Sequence, residues 1–557
     1  MKQRDDEGEA APPDARAHPH RPGQRPTGSY STPTPRRTGR TGAGSARQSS
    51  ARPFVNPVRR LRFAILASLV FIVVALHAAH GHWIGDFWEH SAVVRELMTH
   101  PLHPRHPLLL IDAPHAFANP FALIVAVLCR ITGISSVSGL AVASLVNLVM
   151  LLVALRLFVR RFAPERATAV GFYLLLFMLA LWGRDPWEFS GFYHVVALNH
   201  TLAYPSACAF WVALLLLDLN GRRMVEGRTR LFALIVPMAA FVLVVHPPVF
   251  LFAATGFVAM ALDAQDRRYE IAASVCALVI ASVIALAWPY FPLWQLLTGG
   301  AAAFNVNNAT MYSQPLLHTF PALIGVPPLV AEARRTRRWG IVVWVAMLLA
   351  MYAFGFVTAR YNYGRVIFFI VFLLQLGAAK FVAQLEARLE ARRIAASWRL
   401  VTGTTLAACV LLSARSLLSA ARDTLWAPRS DAGYAFLRRD VGQYDVMMGD
   451  LRTGWIAASF GGKLVSAQHP LAFVSEREQQ MRRTDVKAFF DASTGQTERA
   501  RILRKYRASY VFAPRRSASD STSAPEGALR ALGTLAHEDA RFLLIRLSTP
   551  QARAERP

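Results

Sequence analysis

"GHWIGDFWEHSAVVRELMTHPLHPRHP", residues 81–107, decides how the rest of the chain is read. It packs acids at 86, 89 and 96, an aromatic pair at 87 and 88, and five histidines between two apolar runs. Written as a helix over 84–99, it places Ile84, Phe87, Trp88, Val94, Leu97 and Met98 in one apolar stripe. Asp86, Glu89, His90, Glu96 and His100 fall largely on the other side. That pattern predicts a helix lying along a membrane surface, aromatic side in lipid and acids toward water or a cavity. After it, His103, His106, Asp112 and His115 are broken by prolines, so this part turns rather than spans.

The flanking sequence makes the surface in question a bilayer. The chain has 557 residues, 54% of them hydrophobic, and long uncharged runs recur from residue 61 to about 420. Such runs must close their own backbone hydrogen bonds in lipid, and their length and lack of alternation select helices. The first lies at 63–79, behind the basic "RRLR" of residues 59–62, which predicts a cytoplasmic N-terminus and an external first loop at 80–118. Further runs lie near 119–134, 138–159, 167–182, 203–218, 231–246, 248–263, 270–290, 317–332, 339–358, 366–385 and 399–419. Counting sides forward from the first run and backward from the late basic loops gives opposite places for "RRFAPER" at 160–166. One early segment must therefore be broken or re-entrant, around 104–134 or 184–203, and an odd count of about 11–13 spans is expected.

Residues 1–55 are rich in Pro, Arg, Gly, Ser and Thr and are read as a disordered cytoplasmic tail. Residues 56–420 form the membrane part. Residues 421–557 change character: "YDVMMGD", "KLVSAQ", "SYVFAP" and "RFLLIRLS" are strand-like, with helical stretches between them. They predict a small α/β soluble domain with a mostly parallel sheet on the external side. The fold class expected is thus mostly α, a polytopic helical bundle with a small C-terminal α/β domain. The net charge of +26 is concentrated in short loops between spans, where it orients helices, so nucleic acid is not implied. The four cysteines fall in apolar runs and suggest no disulfide framework.

Acids and histidines three and four residues apart on one helix face suit two kinds of chemistry. One is a general base with its orienting partners, centred on Asp86 with Glu89 and His90. The other is a divalent-metal site using Asp86 and His90, with Mg or Mn as the optional cofactor. The same spacing also fits an amphipathic helix whose polar side is merely wet.

The layout resembles the GT-C superfamily of membrane glycosyltransferases. "GDFWEH" is similar to the acidic motif of that superfamily's first external loop, and "RYNYGR" at 360–365 resembles aromatic-arginine segments before a late span. Residues 444–514 look like the tail of bacterial members. The resemblance implies a GT-C-type bundle in a bacterial inner membrane with a periplasmic C-terminal domain. It implies transfer of a sugar from a polyprenyl-phosphate donor to a glycan, lipid or protein acceptor of the cell envelope, with inversion and with Asp86 as base. Arg360, Arg365 and Tyr363 would hold the donor phosphate. An anionic leaving group is well matched by guanidinium.

His200, Tyr204, His246 and Asn305 lie in other external connections and are secondary substrate-binding candidates. Histidines, acids and asparagines concentrate in those connections, while cytoplasmic loops are mostly arginine; membrane-borne charges are costly unless useful or wet. No P-loop, dinucleotide fingerprint or nucleophile elbow is seen at a credible place, which disfavours ATP-driven pumps and nucleotide-sugar enzymes. Rival readings are a transporter or flippase of lipid-linked saccharide, and a noncatalytic scaffold of envelope assembly.

Overall fold

The computed structural model describes residues 57–299, 304–392, 394, 397–515 and 524–548; the expected tail 1–55 lies outside them. Helices dominate as far as Leu425, and their ends follow from local chemistry. Pro120–Thr132 starts at Asn119, whose side chain accepts the Ala122 N–H, has proline in its first position and stops at Gly133 in the left-handed region. Ser135 starts the next helix, Ser136–Phe162, in the same way, by accepting the Ser138 N–H.

Seven of the described helical segments are long and apolar enough to cross a membrane: Leu61–His80, Ser136–Phe162, Arg267–Leu286, Pro315–Thr336, Gly340–Val357, Tyr361–Ala391 and Ser397–Leu425. The pair Val195–Thr201 and Pro205–Glu226, bent by 103°, makes an eighth if taken as one broken span. The chain is a multi-pass bundle by length and composition, with fewer full-length spans among the described residues than the 11–13 expected. The difference has a local cause. Proline at the start of a helix sets a boundary that hydropathy does not register. Pro205 and Pro247 divide apolar sequence in this way, and Pro120–Thr132, Thr229–Val245 and Pro247–Leu262 are short apolar helices. The bend before Pro205 falls at the edge of the 184–203 stretch where a broken helix was expected.

Buried polar groups tie the bundle together. Arg62 Nη1 and the Tyr173 hydroxyl each donate to Glu386 Oε2 at 2.9 Å, joining the first span to Tyr361–Ala391. A charge in that position is tolerable because it is paired and hydrogen-bonded at once.

Beyond Leu425 the chain forms five strands: β1 (Val446–Gly449), β2 (Lys463–Leu464), β3 (Tyr510–Pro514), β4 (Gly533–Glu538) and β5 (Phe542–Leu547), in the order β2-β1-β3-β5-β4. β1 runs parallel to β2 and β3, while β5 is antiparallel to both β3 and β4. The sheet is therefore mixed rather than mostly parallel. The reason is that only a short turn separates β4 from β5, so they close as a hairpin, whereas the helices Glu476–Phe490 and Gln496–Lys505 supply a crossover between β2 and β3.

Alternation along the strands gives the sheet two apolar faces. Val446, Met448, Val511, Leu543 and Ile545 pack with Val486, Phe489 and Ile502 of the crossover helices. Met447, Phe512 and Leu544, on the opposite face, belong to the same core as the helical bundle. The first loop joins the sheet directly: the Leu464 N–H donates to the Leu108 carbonyl at 2.6 Å, and Leu109 bridges Leu464 in parallel. One wall of the site is therefore the first loop and the opposite wall is the sheet region.

Candidate functional site

The helix after the first span runs over Phe87–Thr99, close to the expected 84–99. Its environment differs from the expected one. Phe87, Trp88, Val94 and Leu97 are buried, but so are Glu89, His90 and Glu96 on the other side. Phe87 stacks on Trp83 with ring centroids 4.2 Å apart, and the Trp88 carbonyl accepts from Ser459 Oγ at 3.0 Å. The aromatic stripe thus packs on protein instead of lipid. The polar side is covered because the sheet region brings matching polar groups to it.

Gly85 adopts φ +64°, a turn that a side chain would strain, and the Tyr204 hydroxyl donates to the Ile84 carbonyl at 3.1 Å. This turn delivers Asp86 to the N-cap of the Phe87–Thr99 helix. Asp86 makes no side-chain cap bond; its backbone carbonyl accepts the His90 N–H, and its carboxylate does something else. Oδ1 accepts from His469 Nδ1 at 2.8 Å, with the Asp86 side chain 32% exposed. His469 Nδ1 also lies 3.5 Å from Glu89 Oε2, and Glu89 Oε1 accepts from His115 Nε2 at 3.1 Å. His115 Nδ1 accepts the Phe117 N–H at 3.2 Å, which assigns the ring proton to Nε2.

Three electrostatic consequences follow. Burial pushes the Glu89 carboxyl up, but the imidazoles of His115 and His469 outweigh it and hold the group well below the usual carboxylate range. Burial pushes His469 down, but Asp86 and Glu89 more than reverse it and raise the imidazole to about 10. His90 goes the other way: burial lowers it to about 4 despite Asp86 and Glu89, so it is neutral. Beside this group lies a cleft of about 220 Å³, lined by Glu89, His115, Phe117, Phe304, Leu471 and Phe473 among others.

Arg365 stands at the start of a late span, and the charge of Asp86 acts on its guanidinium. Its Nε donates to Asn308 Oδ1 at 3.0 Å and its Nη1 to Ser190 Oγ at 2.6 Å, with the guanidinium 5.0 Å from the Phe189 ring. A half-buried cation fixed by neutral partners keeps its charge for something else. Arg360, by contrast, is exposed, and its backbone carbonyl accepts the Tyr363 N–H. The Tyr363 ring packs edge-on against Phe354 at 5.4 Å. Of the "RYNYGR" residues, Arg365 is the one whose charge couples to the acidic group among the described contacts.

The secondary candidates separate. Tyr204 joins the site through Ile84 and through its ring, 5.1 Å from His90. His246 is within the field of both Arg365 and His90. His200 stands apart, 5.0 Å from His77 and 6.3 Å from His82 in a separate aromatic group. Asn305 donates to the Ala359 carbonyl at 3.0 Å, whereas its neighbour Asn308 backs Arg365.

A divalent metal at Asp86 and His90 would have two ligands there, and His90 Nδ1 is buried without a hydrogen-bond partner. His90 stacks on Phe117 at 4.5 Å, while Asp86 is engaged by His469. Among the described residues no group of three or more His, Cys, Asp or Glu side chains is arranged to hold a metal ion.

Four contributors escaped the sequence reading: His469 and, in this role, His115, Asn308 and Ser190. His115 was noted only as one of the histidines past the helix. Nothing around "AQHP" marks His469, because its partners come from the far end of the chain. A second contact of the same kind lies further along the helix. Lys463 Nζ, fully buried, donates to Glu96 Oε2 at 2.7 Å and to the His106 carbonyl at 2.8 Å. Glu96 also accepts from the Arg105 N–H and from Gln443.

No family model matches the chain, and no curated protein matches it. Several solved structures are similar. ArnT from Cupriavidus metallidurans in the apo state superposes with a TM-score of 0.49 at 14% identity, over 86% of this chain and 97% of that one. The Archaeoglobus fulgidus oligosaccharyltransferase AglB, in complex with an inhibitory peptide and a dolichol-phosphate, gives 0.47 at 12%, over 81% and 69%. The arabinosyltransferase EmbB from Mycobacterium smegmatis gives 0.35 at 15%, over 61% and 32%.

Proposed function

We propose that this chain is an integral-membrane glycosyltransferase that moves a sugar from a polyprenyl-phosphate donor to a glycan, lipid or protein acceptor of the cell envelope. The observation that carries this reading is the Asp86 carboxylate: partly exposed, unused by the helix it caps, held by His469 and within the field of Arg365. In the proposed step the acceptor oxygen attacks the anomeric carbon and its proton passes to Asp86. The bond from that carbon to the phosphate oxygen breaks, and the lipid phosphate leaves as an anion beside Arg365, with inversion at the sugar. Asn308 and Ser190 keep the guanidinium in place for that charge. Glu89 holds the imidazoles of His115 and His469 beside the base. Tyr204 and His246 line the approach; Arg360, Tyr363 and Asn305 serve the wider binding surface, from which His200 stands apart.

On this reading residues 80–118 form the first external loop, residues 56–420 a bacterial inner-membrane domain, and residues 421–557 a periplasmic domain; residues 1–55 stay cytoplasmic. The test is Asp86→Asn. Loss of a positioned general base lowers the rate by about 10²–10⁴-fold. Mass spectrometry of lipid-linked sugars and envelope glycans should then show donor accumulating and product absent, with the variant protein still folded in the membrane. Normal glycans in cells carrying only Asp86→Asn would refute the reading and favour a transporter or scaffold.

A further inference from the structure

Two ionic contacts join the C-terminal sheet region to the helix of the first loop, and they differ in kind. The Lys463–Glu96 pair is buried, multiply hydrogen-bonded and flanked by the Leu464–Leu108 backbone bond. His469 is different. It reaches a carboxylate that is partly open to solvent, in the place where the proposed chemistry occurs.

We propose, resting on the reading above, that His469 is a positioning residue: its Nδ1–H holds one carboxylate oxygen of Asp86 and leaves the second for the acceptor hydroxyl. An aspartate at an N-cap ordinarily accepts the N–H of the second or third helical residue. Asp86 does not, although it stands in that position. Its backbone is in the right-handed helical region, φ −62° and ψ −8°, so the carboxylate is free of the helix N–H groups and is held instead by a charge-assisted bond from an imidazole at 2.8 Å. It takes Oδ1, and among the described residues Oδ2 has no hydrogen bond.

The imidazole is itself fixed from both sides. Before it, β2 sets the register through β1 and Leu108. After it, Gln479 clamps the chain, accepting the Leu471 N–H at 2.8 Å and donating to the Leu471 and Val474 carbonyls at 2.9 and 2.7 Å. The Trp455 ring packs against the imidazole at 4.3 Å. A side chain held this closely can aim a partner. On this proposal the soluble region supplies part of the working site.

The experiment uses the full chain in lipid nanodiscs. The donor is the radiolabelled polyprenyl-phosphate-linked sugar fraction extracted from the producing cells, the acceptor is membranes of cells lacking the gene, and the readout is label entering non-lipid product. His469→Ala should lower kcat by about 30–100-fold, the scale of a misplaced catalytic group, with the donor KM within about twofold. His469→Asn, whose side-chain N–H sits close to the position of Nδ1, should recover about tenfold of that loss. Protease protection of the sheet region is measured in parallel; if His469→Ala loses it, His469→Asn alone is compared with wild type. An unchanged kcat in His469→Ala, equal losses in Ala and Asn, or a loss confined to KM would each overturn the proposal. Asp86→Asn separates the two levels. If it is inactive while His469→Ala is fully active, the positioning role fails and the enzyme reading stands. If Asp86→Asn transfers sugar normally, or wild type transfers none, the enzyme reading itself fails.

Discussion

Replacing Lys463 by Met should undock the sheet region from the first loop, and the structure sets the size of the effect. Lys463 is fully buried and Glu96 is 2% exposed, so neither charge can turn to water when the other is lost. Removing one partner of a buried pair costs about 3–5 kcal/mol. Glu96 would keep the Arg105 N–H at 3.1 Å and Gln443 at 3.2 Å, which places the cost at the lower end, about 3 kcal/mol. Glu96→Gln should cost a similar amount, because Lys463 keeps the His106 and Pro107 carbonyls but loses its counter-charge. The double variant removes both charges from the interior and should be far less damaged than the sum, by a coupling of about 3 kcal/mol. The assay is pulse proteolysis of the nanodisc-embedded protein across a urea series, following cleavage of the sheet region. A loss of about 3 kcal/mol makes the open form roughly a hundred times more populated. Single variants within about 0.5 kcal/mol of wild type, or strictly additive losses, would mean that the two charges are solvated or unpaired and that the docking geometry is wrong.

Three further outcomes are expected. Arg365→Lys keeps the charge but loses the fork onto Asn308 and Ser190, so the donor KM should rise about tenfold or more while the fold is unaffected; titration of donor in the transfer assay checks this. Gly85→Ala must place a Cβ at φ +64° and 3.3 Å from the Tyr204 hydroxyl, and should cost about 1–2 kcal/mol, with Tyr204→Phe costing about 1 kcal/mol, both read by pulse proteolysis. His469 is raised from 6.5 to about 10 by Asp86 and Glu89 against the effect of burial. A raised folded-state value means that its contribution to docking is complete below about pH 6.5 and is lost as pH climbs toward 10, so protection of the sheet region should decline over that window and His469→Asn should flatten the decline.

Much of the architecture could be read in the residues. The 3.6-residue stripe from Phe87 to Met98 and the absence of helix breakers placed a helix where one is found, and "YDVMMGD" and "SYVFAP" lie on β1 and β3. Periodicity, however, reports only that one side is apolar. It could not show that Glu89 and Glu96 are buried as well, because their partners His469 and Lys463 belong to a segment remote in the chain. β4 went unseen because its pairing with β5 is interrupted between Leu535 and His537, which spoils the alternation. The sheet was read as mostly parallel because alternating strands and helices were extended to its last two strands, which are joined by a turn. Asn305 was readable as a polar group of an external connection, but not that its neighbour Asn308 would be the one to bond Arg365. That choice is made by the helical turn that buries Asn308 and leaves Asn305 beside Ala359.

The backbone bond between Leu108 and Leu464 carries a consequence for biogenesis. A ribosome makes Leu108 with hundreds of residues still to come before the strand that will receive it. Until that strand arrives, the acids of the early segment have neither Lys463 nor His469 beside them. On the proposed reading the site can assemble only once residue 469 has been made, and a chain truncated before residue 463 would sit in the bilayer yet be inert.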